Sequence, residues 1–155
     1  MRADEAAHLR PGDVSLDDPK AAWIRITQAK TKAGVRTIPV VNKTVLADLR
    51  ARLGNSDWLF PHLTAGRYGN RAQALSKRLN RILDQVNNDP QVVANHSWRH
   101  RARTLLDHAG ITPWAADGFI GHARPGEGLG RYSRGPSKEQ LIEAARAIPL
   151  PDSTK

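Results

Sequence analysis

Residues 96–109 read HSWRHRARTLLDHA, and this stretch predicts a helix with two unlike faces. One face is polar and carries His96, Arg99, His100 and Arg103. The other face is apolar and carries Trp98, Ala102, Leu105, Leu106 and Ala109. We expect the apolar face to pack against the rest of the chain.

The polar face of this helix brings imidazoles and guanidiniums together. Their like charges repel one another unless an anion joins them. A phosphate would suit this face, because an Arg fork binds two oxygens and a His offers a titratable donor. An exposed polar helix surface without any ligand is the alternative that the pattern leaves open.

Five further segments have helical signals. They are a short one at residues 3–9, one capped by Asn42, one at residues 71–86, one opened by Thr112-Pro113 and ending near Ile120, and one opened by the Ser137–Gln140 capping box and ending near Ile148. The segment 71–86 has the most regular apolar stripe, formed by Leu75, Leu79, Ile82 and Val86.

A β-hairpin with a lysine-bearing tip is predicted over residues 22–40. Residues 22–28 are rich in strand-forming side chains, residues 30–34 (KTKAG) form a turn, and residues 35–40 form a second strand. Pro39 makes the second strand an edge strand or marks its end. The fold class is therefore α+β and mainly helical, with a small antiparallel hairpin or sheet on one edge.

The composition limits the classes of protein. The chain has 155 residues, 39% hydrophobic residues and no cysteine, which indicates one packed domain and excludes disulfides and thiolate metal sites. It has neither a run of about 18 apolar residues nor a secretory signal, so we expect no membrane association and a cytoplasmic location.

Positive charge dominates the middle and late parts of the chain. Lys and Arg number 24 against 15 Asp and Glu, a net charge of +9, and residues 21–81 hold 12 basic residues but only two acidic ones. A basic domain of this size is typical of a nucleic-acid binder. The candidate DNA contacts are Arg36, Arg71, Lys77, Arg78, Arg103 and Arg131.

Other side chains could act on a phosphodiester. His122 follows Gly121 at a predicted helix end, and Tyr132 lies ten residues later between two arginines, whose positive field favours a nucleophilic phenolate. Lys30 or Lys32 on the hairpin tip could donate a proton to a leaving oxygen. A surface tyrosine and solvated turn lysines are the plainer interpretations.

The order of these segments resembles the tyrosine recombinases, the phage-type integrases. Residues 1–9 (MRADEAAHL) are similar to the first box of that family, residues 30–40 to its hairpin, HSWRH at 96–100 to its His-x-Leu-Arg-His box, and IGH at 120–122 to its Leu-Gly-His. Tyr132 stands at the position of the nucleophile, and the resemblance extends to about Ile148. Trp98 replaces the usual Leu, and we expect it to be a core residue.

The resemblance implies a role for each matched residue. Arg2 and Arg99 would clamp the nonbridging oxygens of the scissile phosphate, and His96 and His122 would hydrogen-bond to it. Glu5 would support the site without taking part in the chemistry.

The resemblance also implies the reaction. Tyr132 would attack to form a 3′-phosphotyrosyl link, with Lys30 as the general acid and Lys32 as the alternate acid. No metal and no cofactor would be needed. The function would be site-specific recombination (integration or excision) on double-stranded DNA attachment sites, by a chain that is a tetramer on DNA and a monomer when free.

The resemblance further suggests the organisation of the chain. Residues 1–148 would form the catalytic domain, encoded by a bacterium or a phage and associated with the nucleoid when acting, and residues 149–155 a flexible tail. Family members carry a DNA-wrapping helical domain before the first box, so we expect the chain to be a fragment. We expect the last helix to dock on its own chain in the free protein.

Two other classes of function remain open at this point. The chain could be a non-catalytic DNA-binding fragment or a decayed prophage integrase. It could also be a metal-dependent hydrolase that uses His96, His100, His108 and His122, although no acidic residue lies between His96 and His100 as a zincin motif requires.

Overall fold

The computed structural model describes residues 1–54, 56–87, 89, 91–122 and 135–149. Within them the helices are α1 (Ala3–Ala7), α2 (Lys43–Arg52), α3 (Gln73–Val86), α4 (Ala94–His108), α5 (Pro113–Ile120) and α6 (Lys138–Arg146). The strands are β1 (Val14–Ser15), β2 (Ala22–Ile26) and β3 (Arg36–Val40). The predicted class, α+β and mainly helical with a small antiparallel sheet, is confirmed.

The sheet is antiparallel with the order β1-β2-β3. The predicted hairpin is formed by β2 and β3, with Ile24 opposite Ile38 and Arg25 opposite Thr37. Pro39, which has no N–H to donate, lies on the outer strand β3, as expected for an edge strand. The sequence pattern did not predict β1, whose two residues pair with β2.

Helices α2, α5 and α6 begin where the sequence places their caps. The Asn42 side chain accepts hydrogen bonds from the backbone N–H groups of Thr44 and Val45. Thr112 caps α5 in the same way, and Ser137 and Gln140 form the predicted capping box of α6. Each cap satisfies backbone donors that the first helical turn leaves without a partner.

The core consists of several clusters, and Phe119 connects three of them. One cluster joins the sheet to α2 and contains Leu9, Ile24, Ile26, Ile38, Leu49 and Leu59. Another joins α4, α5 and α6 and contains Leu106, Ile111, Ala115, Ala116, Ile120 and Ala144. Phe119 packs against both, which fixes the end of α5 beside the sheet. Helix α6 packs on α5 and β3 of its own chain.

Trp98 is not a core residue, and the prediction that it would be one is wrong. Its relative exposure is 58%, whereas Leu106 further along α4 is fully buried. The reason is rotational: successive residues on a helix point about 100° apart, and the neighbouring Arg99 is the one that turns inward. Ala109, also assigned to the apolar face, is exposed at the end of α4.

Helix α3 forms as predicted, but its apolar stripe is largely uncovered. None of its residues is buried, and Ile82 and Val86 are 48% and 77% exposed. A regular stripe predicts a helix from local periodicity alone. Its burial depends on a neighbouring surface, and within the described residues only α4 makes extensive contact with α3.

Candidate active site

Arg2 and Glu5 form the first part of the site, at the start of α1. The Arg2 backbone N–H donates to Glu5 Oε2 at 2.8 Å, and Arg2 Nη1 donates to Glu5 Oε1 at 3.0 Å. The Glu5 side chain is 2% exposed, while that of Arg2 is 35% exposed. A buried carboxylate therefore holds a guanidinium that still reaches the surface.

Arg36 on β3 binds the same carboxylate. Its Nη2 donates to Glu5 Oε2 at 3.3 Å, its Nη1 to the Gly34 carbonyl at 2.6 Å and its Nε to the Phe119 carbonyl at 3.0 Å. Burial lowers the pKa of Arg36, and the charge of Glu5 opposes this effect. The guanidinium remains charged, because arginine does not deprotonate in proteins.

Arg99 on α4 completes a group of three guanidiniums. Its Nη2 donates to the Gly121 carbonyl at 3.5 Å, a long hydrogen bond. Its Nη1 is buried and has no hydrogen-bond partner among the described residues. Burial, followed by the charges of Arg2 and Arg36, lowers the pKa of Arg99. A buried donor without a partner, close to other positive charges, is a place that an anion would stabilise.

His122 lies beside these arginines, directly after α5. Gly121 ends the helix in the left-handed conformation at φ +80°, which a glycine adopts without strain. His122 Nδ1 lies 3.9 Å from Asp117 Oδ1. Burial and then the charge of Arg99 lower the pKa of His122, although Asp117 raises it. The imidazole is therefore mainly neutral at pH 7.

The site carries an excess of positive charge. Burial alone would raise the pKa of Glu5, but the Arg2 backbone N–H and the nearby Arg36 charge outweigh burial, so the pKa is lowered overall. The carboxylate is therefore ionised. One carboxylate faces three guanidiniums, those of Arg2, Arg36 and Arg99, and this balance favours an anionic ligand.

The family model described as the phage integrase family matches residues 1–135. The chain belongs to the phage integrase family. This is the tyrosine recombinase family, whose general function is site-specific recombination with DNA as the substrate. Comparisons with curated proteins and with solved structures give no significant match. The matched range contains every box of the resemblance and ends before α6.

Not every predicted site residue lies in the group. His96 is on the exposed side of α4, where its ring meets that of His100 at a centroid distance of 4.4 Å. Lys30 and Lys32 are both exposed, in the segment between β2 and β3. Tyr132 and Arg131 lie outside the described residues.

The turn that carries the two lysines is nevertheless held against the first box, residues 1–9. A Cβ added to Gly34 would lie 3.5 Å from both Arg2 Nη1 and Glu5 Oε1, and 2.5 Å from the Ala29 Cβ. The glycine therefore allows the turn to approach the Arg2–Glu5 pair. No sequence motif singles out Gly34.

Two of the candidate DNA contacts have other partners. Arg71 is buried, donates to the carbonyls of Ala7 and Phe60, and lies 4.0 Å over the Trp58 ring, so it is a structural residue and the DNA assignment is corrected. Arg103 pairs with Asp107 and Asp117. Lys77 and Arg78 are exposed on α3. Arg36, as described above, is enclosed within the site.

Asp117 is a functional candidate that sequence reasoning missed. It lies one turn before Gly121, and its carboxylate faces both His122 and Arg103. A single acidic residue inside a short helix gives no signal in the sequence. Only the fold shows that it can influence the imidazole.

The described part of the chain contains no group of three His, Cys, Asp or Glu residues that could hold a metal ion. Within the same residues, no helix is both long enough and apolar enough to span a membrane.

Proposed function

We propose that residues 1–148 form the catalytic domain of a recombinase that cuts and rejoins DNA through a 3′-phosphotyrosyl intermediate. The observation that carries the proposal is the buried Nη1 of Arg99, which has no partner among the described residues and lies near the charge of Arg2. A scissile phosphate would supply the missing acceptor. Two guanidiniums and His122 would then surround its nonbridging oxygens.

The proposed reaction is a transfer of the phosphoryl group between two oxygens. The Tyr132 oxygen attacks phosphorus as its phenolic proton passes to water, and the bond from phosphorus to the 5′ oxygen breaks. Lys30, or Lys32 in its place, gives that oxygen its proton. Rejoining is the reverse, with a 5′ hydroxyl attacking the phosphotyrosine. Preorganised positive charge stabilises the charge that builds up on the equatorial oxygens.

Covalent trapping tests the proposal. The chain is mixed with nicked suicide DNA taken from the sequences flanking its gene, and a protein–DNA band that resists denaturant is sought. The chain has two tyrosines, which provides a matched control. We expect the band in the wild type and in Tyr68→Phe, whose tyrosine is 87% exposed, but not in Tyr132→Phe. A band of normal strength in Tyr132→Phe would contradict the proposal.

The second candidate function is DNA binding without catalysis. The observation in its favour is the net charge of +9, part of which is exposed on α3 as Lys77, Arg78 and Arg81. Salt-sensitive DNA binding by the wild type, with no covalent band at any DNA concentration, would favour this function.

The proposal extends to the assembly and its place of action. We expect the free chain to be a monomer, consistent with the packing of α6 on its own chain, and to form a tetramer on paired DNA sites. Light scattering with and without DNA measures both states. The DNA substrate of a bacterial or phage recombinase implies action in the cytoplasm.

A further inference from the structure

The Arg36 side chain connects three segments that are far apart in the sequence. Its hydrogen bonds reach Glu5 on α1, Gly34 in the turn before β3 and Phe119 near the end of α5. The first of these segments carries Arg2, the second follows the two hairpin lysines, and the third leads into His122. Each segment therefore supplies a residue of the proposed chemistry.

Arg36 also lies directly against Gly121. A Cβ added to Gly121 would be 2.6 Å from Arg36 Nη1 and 2.7 Å from its Cζ, closer than real Cβ atoms approach. The Gly121 carbonyl accepts from Arg99, and His122 is the next residue. The position of the Arg36 guanidinium therefore affects Arg99 and His122, which would both contact the phosphate.

The burial of Arg36 argues against a direct contact with DNA. Its side chain is 7% exposed, and its Nε, Nη1 and Nη2 atoms each donate to a partner within the fold. Arg2, which binds the same carboxylate, is 35% exposed. The two arginines share Glu5, but only Arg2 is accessible to a ligand.

We propose that Arg36 is a positioning residue, which fixes Arg2 through Glu5 and fixes His122 and the Gly121 carbonyl through the end of α5. This inference rests on the proposed function and replaces the earlier assignment of Arg36 as a DNA contact. A planar fork with donors in three directions is required for this role. A lysine could keep the charge but not the three bonds together.

The test compares Arg36→Met and Arg36→Lys with Arg25→Met. Arg25 lies on the adjacent strand β2 with a side chain that is 65% exposed, so its substitution removes one positive charge without entering the site. For each variant, three quantities are measured: the single-turnover rate of covalent adduct formation at saturating DNA, the DNA affinity over a range of salt, and the titration of His122 by NMR in the free chain.

We expect both Arg36 variants to slow adduct formation by about a hundredfold, since a misplacement of about 1 Å has that effect. The DNA affinity and its salt dependence should stay as in the wild type, and the His122 resonances should shift or broaden. Arg25→Met should leave the adduct rate and the His122 signals unchanged. If Arg36→Met does not fold, Arg36→Lys alone carries the comparison.

Three results would overturn the inference. One is a normal rate in Arg36→Lys. Another is a weaker DNA affinity with a salt slope reduced by about one unit, which identifies a phosphate contact. The third is a normal rate of adduct formation per folded molecule of Arg36→Met, which identifies a purely structural arginine. If the wild type forms no adduct, the proposed function fails. The His122 titration then still tests the positioning role of Arg36, which an unchanged His122 signal in Arg36→Lys would refute.

Discussion

Glu5 is the residue on which the candidate site depends most. Its two oxygens take hydrogen bonds from Arg2 and from Arg36, and its side chain is almost fully buried. Removing one partner of a buried ionic group leaves the others without compensation. Removing the Glu5 carboxylate should therefore destabilise the fold more than removing an acidic residue from an exposed ion pair.

We predict that Glu5→Gln lowers the free energy of unfolding by about 3–5 kcal/mol, because two guanidiniums lose their buried counter-charge. Asp48→Asn is the matched control, since it breaks an exposed pair with Arg52, and it should cost about 0.5 kcal/mol or less. Urea denaturation measures both. Equal effects of the two substitutions would contradict the central role of Glu5.

The same carboxylate predicts the pH dependence of stability. Its folded-state pKa lies below the usual value of 4.5, so the folded chain binds fewer protons there than the unfolded chain. The stabilisation is complete above pH 4.5 and is lost as the pH falls through the folded pKa. The acid-induced loss in unfolding free energy should be smaller in Glu5→Gln than in the wild type, and an equal loss would argue against this assignment.

Single residues also show where sequence reasoning reaches its limit. Arg36 and Arg71 are ordinary basic residues in a basic chain, and their pattern suggested DNA contacts. Inside the fold, both bind backbone carbonyls that are distant in the sequence. Arg36 binds that of Phe119, 83 positions away, and Arg71 binds that of Ala7, 64 positions away. No local pattern carries that information. The Arg2–Glu5 pair, in contrast, joins two residues three positions apart and was predictable.

At the scale of elements, the end of α5 places His122. Gly121 and Gly110 both have positive φ, +80° and +69°, but only Gly121 has neighbouring atoms where a Cβ would lie. A side chain at Gly110 would therefore introduce backbone strain alone, whereas one at Gly121 would introduce both strain and crowding. Both end or follow a helix, which makes the comparison close.

We predict that Gly110→Ala costs about 1–2 kcal/mol, the strain of a left-handed residue. Gly121→Ala should cost more, because its methyl group displaces Arg36, and it alone should slow adduct formation. Thermal unfolding and the trapping assay measure the two effects. Indistinguishable melting temperatures would show that the crowding at Gly121 is relieved without consequence.

The hairpin of β2 and β3 carries the proposed general acid on its connecting segment. Lys30 and Lys32 are both exposed there in the free chain. The sequence left the choice between them open, and the fold does the same, since both side chains are exposed. A DNA substrate in which sulfur replaces the leaving 5′ oxygen can distinguish the two lysines.

We predict that Lys30→Ala slows cleavage of ordinary DNA and that a 5′-bridging sulfur restores the rate, because a thiolate leaves without a proton. Lys32→Ala should slow cleavage of ordinary DNA less, and the 5′-bridging sulfur should change its rate less. Single-turnover rates on the two substrates test this. Rescue of Lys32→Ala in place of Lys30→Ala would transfer the acid role to Lys32.

The caps explain why most elements were predictable. Thr112-Pro113 and the Ser137–Gln140 box act within one helical turn, so their sequence determines where α5 and α6 begin. Strand β1 was missed because two residues carry no pattern and pair with partners eight and ten positions along the chain. The stripe of α3 was predicted, but its exposure was not, because burial depends on other elements.

At the scale of the whole molecule, family membership was predictable because several boxes occur in order along the chain. The family match over residues 1–135 confirms it. The fold then brings Arg2, Arg36, Arg99 and His122 together from α1, β3, α4 and the end of α5. The remaining positive charge lies outside this group.

We predict that DNA affinity falls steeply with salt, since phosphate contacts release counterions. The logarithm of the binding constant should fall linearly with the logarithm of the salt concentration, and Lys77→Ala should reduce the slope by about one unit. Tyr132→Phe should keep the wild-type slope. Fluorescence anisotropy measures the slopes, and an affinity independent of salt would contradict the prediction.

The dispersed origin of the site has a consequence for a chain that is still being synthesised or has lost its fold. Such a chain keeps all its positive charge and can still adhere to DNA. It holds no Arg2–Glu5–Arg36 group, because these residues meet only when α1, β3 and α5 pack together. Under the proposed function, the ability to break a chromosome would therefore arise only in a completely folded molecule.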